Sequence, residues 1–122
     1  MKNPHKGVTG VKRLTKALGY SLAGLAAAFR DEQGFRQVTW LAAICIPVAL
    51  WLPVSPAERA LLIASVVLVA LVELLNSGIE AAVDRVSFRK HPLAKRAKDI
   101  ASAAVFLSLI NAVAVWSVIL LA

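Results

Sequence analysis

Polar residues all but vanish from three stretches of the chain. Val38 to Val54 is apolar apart from Thr39, Ala60 to Val72 apart from Ser65, and Ile100 to Ala122 apart from Ser102, Ser108, Asn111 and Ser117. Each approaches the roughly 20 residues that a membrane-spanning helix needs, once the second is extended by an amphipathic helical end reaching Val86. The pattern predicts spans over about 36–54, 57–86 and 93–122. Ahead of them Val11, Leu14, Leu18, Leu22, Leu25 and Phe29 recur at spacings of three and four, while Lys12, Arg13, Lys16 and Ser21 take other faces. That is an amphipathic helix, over about 8–33, too polar to span and suited to the headgroup layer. Gly34 is expected to break it from span one, Pro47 to kink that span and Pro53 to end it. Ser55-Pro56-Ala57-Glu58 has the form of a capping box with proline at the first helical position, so the second span opens near Pro56, and Pro92 opens the third. No repeat or low-complexity segment interrupts this order. The expected fold is all-α, a single integral-membrane domain over residues 1–122.

The second span ends unlike the others. Its apolar run passes directly into Glu73, Asn76, Glu80 and Asp84. At about 100° per residue these fall near 0°, −60°, −20° and +20°, one narrow stripe on a single helix. An ionised carboxylate in hydrocarbon costs several kcal/mol, which makes such a residue a functional site by default. Thirteen residues from Ala60 to Val72 rise about 20 Å, so Glu73 sits roughly 10 Å inside the boundary of a ~30 Å core. Glu80 lies about 10 Å further, at the headgroups, with Asp84 beyond it.

The net charge of +7 has a topological explanation. Lys2, Lys6, Lys12, Arg13, Lys16, Arg30 and Arg36 precede the first span; Arg85, Arg89, Lys90, Lys95, Arg96 and Lys98 fall between the second and third; only Arg59 follows the first. This is the positive-inside distribution, with the N-terminus cytoplasmic and the C-terminus outside, and it removes the need for a nucleic-acid partner. The N-terminus has neither the apolar core nor the cleavage site of a signal peptide, so no processing is expected. The single cysteine, Cys45, reads as a small apolar side chain inside span one.

Hard carboxylate oxygens at an interface suit Mg²⁺, which binds one or two of them together with substrate phosphates. A deeper carboxylate suits a general base acting on a lipid hydroxyl. Glu32, beside Asp31 at the end of the surface helix, and Lys98 and Asp99 face the same boundary, so metal, base and cations are expected to converge there. Plainer roles stand beside each: Asp99 favouring a helix N-terminus, Asp31 and Glu32 as solvated charges, Asp84 paired with Arg85, Tyr20 and Trp116 as interfacial or packing aromatics, and His91 as a loop residue. Soluble-kinase signatures are absent: Gly19 to Gly24 is followed by Leu25-Ala26 rather than Lys-Ser/Thr, and no protein-kinase catalytic set occurs.

Val72-Glu-Leu-Leu-Asn-Ser-Gly-Ile-Glu-Ala-Ala-Val-Asp-Arg85 closely resembles the signature of the prokaryotic diacylglycerol kinase family, and Arg96-Ala-Lys-Asp-Ile-Ala-Ser-Ala-Ala-Val105 its second hallmark. Lys16 to Leu25 and Glu32 to Gln37 extend the likeness to the surface helix; Val38 and Arg89-Lys90 depart from it. The resemblance implies a homotrimeric helical bundle in the bacterial inner membrane, with active sites between subunits. It implies ATP- and Mg²⁺-dependent phosphorylation of diacylglycerol to phosphatidic acid at the cytoplasmic face, in phospholipid recycling. Glu73 would be the base; Glu32 and Glu80 would hold Mg²⁺ on the ATP phosphates; Asn76 would support the site. Arg13, Tyr20, Lys98 and Asp99 would line the nucleotide region with His91 at the adenine end. Ser21 and Ser102, with Arg13 and Glu73, would meet the lipid. The related alternative is an undecaprenol kinase. A different class, a small proton-coupled transporter with Glu73 as carrier, predicts flux without ATP consumption.

Overall fold

The computed structural model describes residues 10–86 and 91–122, four helices in chain order: α1 (Gly10–Asp31), α2 (Gln33–Trp51), α3 (Pro56–Val86) and α4 (Pro92–Leu121). The expected start of the surface helix at residue 8 and the pair Arg89-Lys90 lie outside the described residues. α2, α3 and α4 are each long and apolar enough to cross a membrane. The protein is an all-α membrane protein, and its three spans match the three apolar stretches of the chain.

The ends of the helices follow local chemistry. At the start of α3 the Ser55 Oγ accepts from the Glu58 amide at 3.2 Å, and a Glu58 carboxylate oxygen accepts from the Ser55 amide at 3.0 Å. The capping box is therefore closed in both directions. Proline opens α4, and His91 caps it by accepting from the Leu93 amide at 3.1 Å through Nδ1. At the other end of α2 the orphaned carbonyls are met from outside the helix. Arg59 donates to Ala49 O at 3.1 Å, Leu52 O at 2.8 Å and Val54 O at 3.3 Å. Arg59, in the first turns of α3, thus holds the α2–α3 turn together. α2 itself runs through Pro47 and stops at Trp51, short of Pro53.

Gly34 does not break the chain between α1 and α2. The break falls at Glu32, the single non-helical residue between them, with φ −115° and ψ 107°. Gly34 lies in the first turn of α2, where a different requirement selects it.

α3 is the central helix and packs against both α2 and α4. Leu62, Val66 and Val69 bury the face it turns to them, with Ala49 of α2. Among the described residues most side-chain hydrogen bonds are local. The Trp116 indole Nε1–H of α4 donates to Leu62 O at 3.3 Å, on a carbonyl that also accepts from the Ser65 hydroxyl at 2.8 Å. Between helices in lipid, where apolar contact gains nothing over the acyl chains, such a bond fixes how α4 lies on α3. α1 is different: Ala28 is its only buried residue, and Leu14, Leu18 and Leu22 stay exposed on one flank, as a helix lying in an interface requires.

Candidate active site

Glu73 comes from the middle of α3 and is half-buried. Its carboxylate rests against α2 at Gly34: a Cβ on that glycine would lie 2.7 Å from Oε1 and 3.2 Å from Cδ. Only a residue without a side chain leaves this space to an undisplaced carboxylate, which accounts for Gly34 inside a helix despite its poor propensity. One turn on, the buried Asn76 donates from Nδ2 to a Glu80 carboxylate oxygen at 3.4 Å. Asn76 Oδ1 is buried with no hydrogen-bond partner among the described residues. A buried acceptor left unpaired costs about 1–3 kcal/mol, so this amide oxygen calls for a ligand, a water or another subunit.

The stripe continues into α4. Asp84 pairs with Lys98, not with its neighbour Arg85, because successive helical residues point apart whereas α4 runs alongside. Lys95 and Asp99 pair at 2.7 Å across one turn of α4. Asp99, Lys95 and Arg96 line a shallow groove of about 370 Å³. Lys95 and Arg96 were read from the sequence for their charge and not as site residues; their position one turn before Asp99 is the signal that would have placed them there.

A second cleft, of about 650 Å³, opens between α1 and α3. α1 lines it with Ser21, Gly24 and Asp31, the α1–α2 junction with Glu32, and α3 with Ser77, Gly78 and Ala81. Gly78 has nothing within 4 Å of where a Cβ would stand, so within the chain its small size widens a cleft rather than permitting a close helix approach. Ser77, buried at the cleft wall, is an addition to the residues read from the sequence. The Ser21 hydroxyl donates to Ala17 O at 3.0 Å. Asp31 bonds Arg30 at 3.1 Å, and that hydrogen bond, with the charges of Arg30 and Arg36, holds its carboxyl below the usual aspartate value.

The remaining candidates lie apart. Arg13 and Tyr20 are exposed on α1, outside the residues lining the cleft, and Ser102 is exposed on α4 outside the Asp99 groove. His91 lines a further groove of about 540 Å³ with Ala82, Val83 and Ala94. With Nδ1 accepting from the backbone, its neutral ring carries the proton on Nε2 as a donor. Among the described residues no group of three or more His, Cys, Asp or Glu side chains comes together to hold a metal ion. The expected convergence of acids is therefore not a closed cage within one chain. The donor set still fits Mg²⁺: hard carboxylate oxygens on separate elements, beside an amide oxygen lacking a partner, leave most of the coordination to phosphates and water.

Known proteins resemble the chain along nearly its full length. The family model for prokaryotic diacylglycerol kinase matches residues 19–120. A diacylglycerol kinase of Pseudomonas aeruginosa is 56% identical over 119 residues, covering 98% of this chain and 97% of its own. The Escherichia coli K12 diacylglycerol kinase is 48% identical over 112 residues, 92% of each chain. One from Helicobacter pylori is 49% identical over 113 residues, covering 93% of this chain and 88% of its own. With three spans where the apolar stretches predict them, a family model that matches residues 19–120 and relatives this close over this length, the chain belongs to the prokaryotic diacylglycerol kinase family.

Proposed function

We propose that this protein transfers the γ-phosphoryl group of ATP to the free hydroxyl of diacylglycerol, giving phosphatidic acid and ADP at the cytoplasmic face of the inner membrane. The observation that carries the reading is the half-buried Glu73 carboxylate, behind thirteen largely apolar residues and seated against the α2 backbone at Gly34. A lipid hydroxyl lies just below the headgroup layer, and a soluble phosphate donor stops just above it. Glu73 and the Glu80 level, about 10 Å apart along α3, bracket that boundary.

Glu73 accepts the hydroxyl proton as the oxygen attacks the γ-phosphorus in line, and the bond from that phosphorus to the β–γ bridging oxygen breaks to release ADP. The half-buried position of the base limits the access of competing water to the reacting oxygen. Glu32 and Glu80 would hold Mg²⁺ on the ATP phosphates, where the ion would supply positive charge against that developing on the phosphate oxygens. Asn76 aligns Glu80 through its 3.4 Å bond. Lys98 and Asp99, with Arg13 and Tyr20 from α1, line the nucleotide region, and His91 offers a donor at the adenine end. The α1–α3 cleft receives the glycerol headgroup beside Ser21, and Arg13 and Ser102, which lie outside that cleft, meet the lipid from α1 and α4.

The same reading makes the protein a homotrimer with sites completed between subunits, its N-terminus cytoplasmic and its C-terminus periplasmic. The unpartnered Asn76 oxygen and the open cleft beside α1 support a site completed by something beyond one chain. Purified protein in mixed micelles, given γ-labelled ATP and either diacylglycerol or undecaprenol, tests the substrate. Label in phosphatidic acid at the faster rate is expected. Preference for undecaprenol would change the substrate and keep the chemistry. Proton flux into vesicles without phosphoryl transfer would overturn both in favour of a transporter.

A further inference from the structure

We infer that Arg36 is a positioning residue for Glu32, locking the corner between α1 and α2 that turns this carboxylate into the α1–α3 cleft. The inference rests on the reading of Glu32 as a metal ligand. α1 has little else to orient it. It buries Ala28 alone and meets α3 sparsely, so its direction is decided where it joins α2.

That junction is one residue long. The Glu32 amide donates to Ala28 O at 2.9 Å, and the Glu32 carbonyl accepts from the Arg36 amide at 3.1 Å. Arg36 also reaches back with its side chain. One nitrogen, Nη1, donates to Arg30 O at 2.8 Å and to Phe29 O at 3.0 Å. These are among the last carbonyls of α1, orphaned because the helix ends at Asp31. Glu32 is thus gripped on both sides by one residue, by its backbone ahead and its guanidinium behind. Phe29 and Trp40 close the outside of the corner edge to face, with centroids 6.1 Å apart.

The location of the charge is itself informative. A cation in the first turn of α2 stands at the unfavourable end of that helix's dipole, whereas the carbonyl end of α1 attracts it. Arg36 therefore serves the helix before its own. Released from it, ψ of Glu32 is free to change, and α1 swings about that bond with the carboxylate displaced from the cleft. Lysine supplies donors and charge at similar reach, though without the planar fork, and should restore part of the function.

The test uses full-length protein in micelles and compares Glu32→Gln, Arg36→Met, Arg36→Lys and the double variant Glu32→Gln/Arg36→Met. Turnover is measured across a Mg²⁺ titration, and hydrogen exchange across the 28–37 segment. Arg36→Met should raise the half-saturating Mg²⁺ concentration by about tenfold, as loss of an outer-shell partner does, with KM for diacylglycerol within about twofold. Arg36→Lys should recover most of that shift, and the double variant should be no worse than Glu32→Gln alone, since residues acting through one another are not additive. Exchange at the Glu32 and Arg36 amides should accelerate in Arg36→Met and not in Glu32→Gln. A Mg²⁺ shift in Glu32→Gln with none in Arg36→Met, or fully additive losses, overturns the positioning role and leaves the metal ligand standing. No Mg²⁺ shift in Glu32→Gln removes the metal ligand instead; the corner lock then stands or falls on the exchange data, and unchanged exchange in Arg36→Met refutes it.

Discussion

Replacing Glu73 by glutamine keeps the length and volume of the side chain and removes its basicity. The amide still fits the space left by Gly34, where the nearest contact to a Cβ would be 2.7 Å, so neither packing nor helix contact is disturbed. What is lost is proton transfer. A positioned base contributes about 10²–10⁴-fold, which corresponds to about 3–5 kcal/mol in the activation barrier. Glu73→Asp separates position from basicity: it keeps the charge and withdraws the carboxylate by one carbon–carbon bond, about 1.5 Å, away from the α2 backbone. A misplacement of that order costs about 10²-fold in a reaction that depends on alignment. Gly34→Ala pushes on the same group from the other side, but its contact is the mobile end of a side chain, so a severalfold loss at most is expected. The assay is kcat and KM for ATP and diacylglycerol in micelles, with oligomeric state measured alongside. Both Glu73 variants should lose kcat with KM for ATP little changed. Turnover of Glu73→Gln within about tenfold of wild type, in intact protein, refutes the base.

Other consequences are equally concrete. Glu80→Gln should raise the Mg²⁺ requirement by about tenfold with little effect on lipid KM, and an unchanged titration would take Glu80 out of the metal site. Arg59→Met strips three carbonyls at the end of α2 of their donor; because water reaches this turn, a loss of about 2 kcal/mol is expected, read as a lower unfolding midpoint with kcat unaffected. The Asp31 carboxyl is held below its ordinary value by Arg30, so the pair's contribution is present above the unfolded pKa and is lost as pH falls through the lower folded one. Hydrogen exchange at the α1–α2 corner should therefore quicken on the acid side of about pH 4, and Asp31→Asn should abolish that step.

The three spans, the capping box at Ser55 and the proline start of α4 were legible because each depends on composition or on neighbours a few residues apart. The α1–α2 break was not. Gly34 carries the usual signal of a breaker, yet it is there to let Glu73 approach from α3, and that contact spans 39 positions of sequence. The real break at Glu32 is held by Arg36 reaching back to the preceding helix, an interaction with no local pattern. Asp84 tells the same story: its partner Lys98 belongs to the next helix, so only the packing of α4 on α3 could select it over Arg85. The acidic stripe on α3 was readable from helical periodicity alone. The closing of a site around it was not, since among the described residues Asn76 Oδ1 has no partner.

The proposed reaction is direct transfer from ATP to a lipid hydroxyl, with Glu73 as base and not as nucleophile. ATP made chiral at the γ-phosphorus with oxygen isotopes tests it in one measurement, the configuration of the phosphate recovered in phosphatidic acid. A single in-line displacement onto the lipid oxygen predicts inversion. Retention would require two displacements through a phosphorylated enzyme group, and would contradict the role assigned to Glu73.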